Sequence, residues 1–224
     1  MKMLAGTDFH GFRPAFEAFA LEAKKQKADV ILIGGDITNF GTMEQARNLL
    51  SILAETKIPL FFVPGNCDPP SLVNLNFNNV KCIHGEGVIY NDLVFMGVGG
   101  SSITPFNTPF EMSEEKIAEI LQSCLKSLSD KIGERKIILI SHPPPKNTKL
   151  DRTVLGIHAG SVSVRRFIEE HSPLLTLCGH IHEAKGRDQI GRTLIINLGS
   201  AKWGNYAVVN VEKKVNVKLQ TLKI

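Results

Sequence analysis

Five short apolar runs in this chain each end in a polar cluster, and that repeated juxtaposition constrains the fold more than any other feature. Met1–Gly6 leads to Asp8-Phe9-His10, Val30–Ile33 to Gly35-Asp36, and Leu60–Val63 to Gly65-Asn66-Cys67-Asp68. Ile137–Ile140 leads to Ser141-His142, and Leu174–Leu177 to Gly179-His180-Ile181-His182. Bounded apolar runs this short read as buried strands. In open α/β sheets the strand C-termini lie along one edge, so polar residues spread over about 175 positions can converge in one crevice. The glycines at 35, 65 and 179 are expected to permit sharp exits from the strands.

The segments between the runs carry helical periodicity. Phe12, Ala15, Phe16, Phe19, Ala20 and Ala23 recur at three-to-four spacing, as do Ala46, Leu50 and Leu53. A third helix is expected from Ser113 as N-cap, with Glu114 and Glu115 in its first turn and Ile117 to Ile132 supplying one apolar face before Gly133. A fourth is expected near Ser161–His171. Val88–Tyr90 and Leu93–Val98 flank Asn91-Asp92 and read as a hairpin, and strands are expected at about 192–197, 205–211 and 215–222. The start is therefore βαβαβ, but the β-rich end excludes one purely parallel sheet.

The chain has 224 residues, 43% of them apolar, which is enough for one core; a single domain over residues 1–224 is expected. No apolar run approaches the ~20 residues of a membrane span, and no secretory signal is evident, so a cytoplasmic location is expected. Cys67, Cys82, Cys124 and Cys178 form no C-x-x-C pair and read as reduced thiols. The net charge of +4 is carried partly by scattered C-terminal lysines, which read as a solvated face and not as a dedicated nucleic-acid surface.

The polar clusters supply three carboxylates, one amide and four of the chain's seven histidines. Imidazole and oxygen ligands together suit Mn, Fe, Co, Ni or Zn, whereas the scarcity of thiolate argues against a structural zinc or iron–sulfur site. So many donors exceed one ion's needs. Two ions sharing a carboxylate, about 3.5–4 Å apart, would use them all and form a clamp for displacement at phosphorus.

The ordered set D-x-H, G-D, G-N-x-D, S-H and G-H-x-H, spanning residues 8–182, resembles the calcineurin-like metallophosphoesterase superfamily. The stretch Ser141–Gly191, with Lys149-Leu150-Asp151 and His158-Ala159-Gly160-Ser161, resembles a branch of small archaeal and bacterial predicted phosphoesterases. The resemblance implies an α/β fold, a four-layer α/β/β/α sandwich with two mixed β-sheets. It implies that Asp8, His10 and His182 hold one divalent ion, that Asn66, His142 and His180 hold the other, and that Asp36 bridges them, with manganese the first expectation. A bridging hydroxide is the implied nucleophile. Asp36, Asn66 and His10 are the implied catalytic group.

Cys67 departs from the many family members that have histidine there, a residue taken to bind phosphate or protonate the leaving group. A thiol of pKa near ~8.5 is a poor cationic donor. The cysteine form is similar to that of branches with phosphodiesterase activity, so hydrolysis of a small diester, nucleotide-derived among the options, is expected. The alternatives are a phosphomonoesterase on a metabolite or phosphoprotein, and a catalytically weak scaffold of the same fold. Cys67 and His158 are the candidate substrate-binding residues. Lys146, Lys149, Arg152, Arg165 and Arg166 suit either substrate phosphate or solvent, and a homo-oligomer is compatible with the chain. Cys178, His180 and His182 also permit an alternative zinc site on one strand face.

Overall fold

Side chains alternate across each short strand, and here the two faces meet different cores. The computed structural model describes residues 1–128 and 131–224. It begins with β1 (Lys2–Gly6), α1 (Arg13–Gln26), β2 (Val30–Ile33), α2 (Met43–Ala54) and β3 (Leu60–Phe62). Leu4, Ile31, Ile33 and Phe62 pack with Phe16, Phe19 and Leu50 of the helices. Met3, Ala5, Val30, Leu32 and Phe61 face the opposite way, into a core shared with a second sheet.

Next come β4 (Asn76–Phe77), β5 (Val80–Cys82), β6 (Gly87–Tyr90), β7 (Leu93–Val98), β8 (Ser101–Ser102), β9 (Glu111–Met112) and α3 (Glu114–Leu128). The chain finishes with β10 (Lys136–Ser141), α4 (Val162–His171), β11 (Leu175–Cys178), β12 (Gly186–Ile190), β13 (Thr193–Asn197), β14 (Asn205–Val211) and β15 (Val215–Thr221). One sheet runs β15-β14-β1-β2-β3-β5-β4, the other β12-β13-β11-β10-β7-β6, and β8 and β9 form a small parallel pair. The central strands of both large sheets are parallel, and antiparallel strands sit at the edges. Val94, Met96, Leu139 and Ile195 face outward beneath Ile117 and Leu121 of α3 and Phe167 and Ile168 of α4. The layering is thus α/β/β/α with two mixed sheets, as the resemblance implies.

Local chemistry explains most boundaries. Ser113 Oγ accepts from Lys116 N at 3.3 Å, and Ser161 Oγ accepts from Val164 N at 3.1 Å, so both act as helix caps. Thr42 and Gln45 close a reciprocal capping box at the start of α2. The expected extension of the third helix through residues 129 and 130 lies outside the described residues. Phe12 precedes α1 and is 37% exposed, so it does not join the apolar face assigned to it.

Candidate metal centre

The loops leaving β1, β2, β3, β10 and β11 meet at one edge shared by both sheets. Parallel pairing aligns the strand ends, and a bridge between Thr7 and Ser200 ties the exit of β1 to the turn after β13. Asp8, His10, Asp36 and His180 adopt left-handed backbone, with φ of 57°, 47°, 49° and 65°. Such strain costs of order 1–3 kcal/mol per non-glycine residue and persists only where surrounding bonds enforce it. Here they do: Asp8 N and His10 N donate to Gly35 and Asp36 carbonyls at 2.9 and 2.8 Å, and His180 N donates to the Asp8 carboxylate at 3.2–3.3 Å.

Gly35 fulfils the expected turn role, with φ 107°. Gly65 and Gly179 do not have positive φ; they are glycine for lack of room, because a Cβ would strike the Asp36 carboxylate or the Asp8 carboxylate respectively. The apolar runs thus end in small residues where carboxylates from neighbouring loops need to pass.

The side chains form two linked groups. His182 Nε2 lies 3.2 Å from Asp8 Oδ1 and 3.1 Å from His10 Nε2, while His10 Nε2 lies 4.0 Å from Asp8 Oδ1. In the second group His142 Nε2 lies 2.9 Å from Asn66 Oδ1, and the His142 and His180 rings are 5.2 Å apart. Asp36 stands between them, with Oδ2 3.6 Å from His10 Nε2 and Oδ1 3.6 Å from His142 Nε2. All seven residues named as ligands from the sequence therefore gather in one place.

Hydrogen-bond accounting shows that the donor set fits cations. His142 Nδ1 lies 2.8 Å from Gly34 O, a carbonyl that can only accept, so Nδ1 carries the proton. The ring's other nitrogen, Nε2, faces the Asn66 carbonyl oxygen at 2.9 Å. The two Nε2 atoms of His10 and His182 can share only one proton along their 3.1 Å line. A cation among them satisfies every lone pair.

The electrostatics agree. Burial, opposed by Asp8, pulls the pKa of His10 down to about 4, and burial together with His142 takes His180 down to about 3, leaving both as neutral imidazoles fit to ligate. Burial acts to raise Asp8, but the bond from His182 and the surrounding histidines win and hold it well below the carboxylate range. Burial pushes Asp36 up to about 7 against the pull of His142, with Asp8 and Asp68 reinforcing the rise. Buried carboxylates of this kind cost several kcal/mol each when ionised without compensation, and a divalent cation reverses that balance.

Asp68 belongs to the scaffold: it is buried and accepts from Ile37 N, Thr38 N, Thr38 Oγ1 and Gly65 N at 2.7–3.0 Å, clamping the β2 and β3 loops together. Asn197 Nδ2 reaches the carbonyls of Leu150, Gly179 and Ile181, and so knots the loop carrying His180 and His182. Cys67 is buried beside the cluster; its N donates to Asp36 Oδ1 at 2.8 Å, and burial plus Asp36 pushes its thiol pKa far up. His158 Nδ1 pairs with buried Asp151 at 2.7 Å and lines a cavity of about 470 Å³ with Lys149, Arg152 and Asp188. Arg165 is engaged by the Lys146 and Asn147 carbonyls and by Glu169. Cys178 points into the outer core with its thiol on Ile196 O, and among the described residues no potential ligand group includes it. Trp203 went unnoticed in the sequence; its ring lies 5.5 Å from that of His182, edge to face.

Residues 39–222 match the family described as metallophosphoesterase, calcineurin superfamily. The chain is 38% identical over 202 residues to Uncharacterized protein MJ1162 of Methanocaldococcus jannaschii, covering 88% of this chain and 87% of that one. It is 23% identical over 163 residues to a probable glycerophosphodiester phosphodiesterase, GpdQ, of Arcobacter nitrofigilis, covering 70% of this chain and 58% of the relative. A dimetal phosphatase from Danio rerio shares the fold at a TM-score of 0.70 with 12% identity, covering 99% of this chain and 96% of that one.

Proposed function

The chain belongs to the calcineurin superfamily of metallophosphoesterases and is a phosphoester hydrolase, and from that premise we propose that it works with two divalent ions and prefers diesters. Asp8, His10 and His182 would hold one ion, Asn66, His142 and His180 the other, with Asp36 shared between them. The observation that carries this reading is Asp36, whose two oxygens each lie 3.6 Å from a histidine of a different group. The ions, when bound, supply a water acidic enough to ionise near neutrality and positive charge against the phosphoryl oxygens.

The chain's own part is positioning. Gly34 O sets the His142 tautomer, Cys67 N orients Asp36, and His180 N holds Asp8, so the ligands are arranged before any ion arrives. Asn66 is held by its carbonyl, which accepts from Phe110 N at 3.0 Å. The diester preference rests on Cys67. Its neutral, buried thiol offers no positive charge to the second negative charge of a monoester. The name of the GpdQ relative points the same way.

Metal analysis joined to parallel assays on bis(p-nitrophenyl) phosphate and p-nitrophenyl phosphate, with manganese added, tests the proposal. About two ions per chain and faster diester turnover are expected, with Asp36→Asn lowering activity by roughly 100-fold or more. Full activity and metal content in Asp36→Asn would remove the shared-ligand assignment. Bound metal without turnover on either ester would point to a scaffold instead.

A further inference from the structure

Most large apolar side chains that stand exposed among the described residues sit on loops at the edge where the metal centre lies. Phe12 follows the β1 exit and Phe40 the β2 exit, and Phe106 lies on the segment between β8 and β9; Leu155 and Ile157 lie on the loop after β10, and Trp203 on the turn after β13. Chance scatter would distribute them over all faces. A collar of this kind around a cluster that takes phosphate implies that what surrounds the phosphate is apolar.

Trp203 is the best placed of these. It is 63% exposed, so most of the indole is open, and it meets the His182 ring at 5.5 Å and 87°. Its turn is tied to the metal-ligand loop: Ser200 Oγ and Lys202 N donate to Asp8 O at 2.7 and 3.2 Å, and Ala201 N donates to Thr7 O at 2.8 Å. The turn that carries the indole is therefore anchored to the Asp8 loop, and the indole itself meets His182.

We propose that Trp203 is the platform on which the substrate's ester group lies flat, and that the substrate is a phosphoester bearing an aromatic ring or base, as in a nucleoside phosphodiester. This deepens the metallophosphoesterase reading and rests on it. A flat π-face is matched best by another, and base–aromatic stacking is worth roughly a 5- to 150-fold change in binding.

Trp203 is the chain's single tryptophan, so its fluorescence reports this site alone. Metal-loaded, full-length protein would be titrated with adenosine 5′-monophosphate, glycerol 3-phosphate and inorganic phosphate. Saturable quenching by the adenosine ester, at least about 5-fold tighter than by the other two, is expected. In kinetics on bis(p-nitrophenyl) phosphate, Trp203→Ala should raise KM by a similar factor with kcat held, and Trp203→Phe should restore KM. Equal midpoints for all three ligands, or an unchanged KM in both variants, would overturn the proposal. So would self-association abolished by Trp203→Ala, because the collar would then be covered by a second copy. Turnover indifferent to the ester group sinks only this inference, whereas absence of turnover on any ester sinks the hydrolytic reading and leaves the titration to decide the platform.

Discussion

A methyl group on Gly179 would run into the Asp8 carboxylate and the Thr7 side chain, so this position is set by the space the ligand needs. Gly179→Ala should therefore displace Asp8, cost about 1–3 kcal/mol through overpacking, and lower metal affinity roughly 10- to 100-fold. Metal content after dialysis, beside a thermal melt, checks this; a variant that keeps its full metal would show that the loop yields freely. That the candidate ligands would gather at one edge was legible because each follows directly on an apolar run, and their division between two ions came with the family resemblance. Asp68 was visible in the same cluster, yet its role was not, since only the fold reveals that its oxygens are taken up by Ile37, Thr38 and Gly65. Trp203 carried no signal at all, because nothing in the sequence brings position 203 to position 182.

The segment from β8 to β9 shows what is settled at the scale of an element. Its backbone reaches the centre where Phe110 N donates to Asn66 O and Ser101 N to Phe110 O. Glu111 closes it, accepting from Thr104 N, Thr104 Oγ1, Thr108 N and Thr108 Oγ1 at 2.6–3.0 Å. Partial burial acts to raise the Glu111 pKa, but these four bonds prevail and take it down to about 2. A carboxyl whose folded pKa is depressed contributes fully above its unfolded value near 4.5 and loses that contribution as pH falls toward 2. Hydrogen exchange over residues 102–110 should thus accelerate between pH 4.5 and 2 beyond the intrinsic trend, and Glu111→Gln should remove that excess while costing about 1 kcal/mol locally. Exchange that follows the intrinsic trend in both proteins would deny Glu111 this role. The loop's strands escaped the sequence reading because two residues carry no alternation. The strand Gly186–Ile190 escaped because Arg187, Asp188 and Gln189 are polar, and its place depends on pairing with β13.

At the scale of the molecule, each proposed ion draws ligands from both halves of the sandwich. Asp8, His10, Asp36 and Asn66 leave strands of one sheet, whereas His142, His180 and His182 leave strands of the other. The order of runs and helices made an α/β start and a β-rich end legible, the four-layer form came with the family resemblance, and it is this layering that would make a metal centre here a staple as well as a catalyst. Without cations the junction holds two buried carboxylates, Asp8 and Asp36, a local penalty the shared apolar core has to offset. Metal binding should then appear as stability of the whole chain: at a free ion concentration about 100-fold above Kd it contributes about 2.7 kcal/mol, or roughly 5–10 °C in Tm for a chain this long. A chelator should abolish that gain in the wild type and change little in Asp36→Asn. The exchange it accelerates should lie at the exits of β1 and β11 together, because the staple joins them. Metal loss with an unchanged Tm would mean that the two sheets hold their edge without help, and that the ions serve the reaction alone.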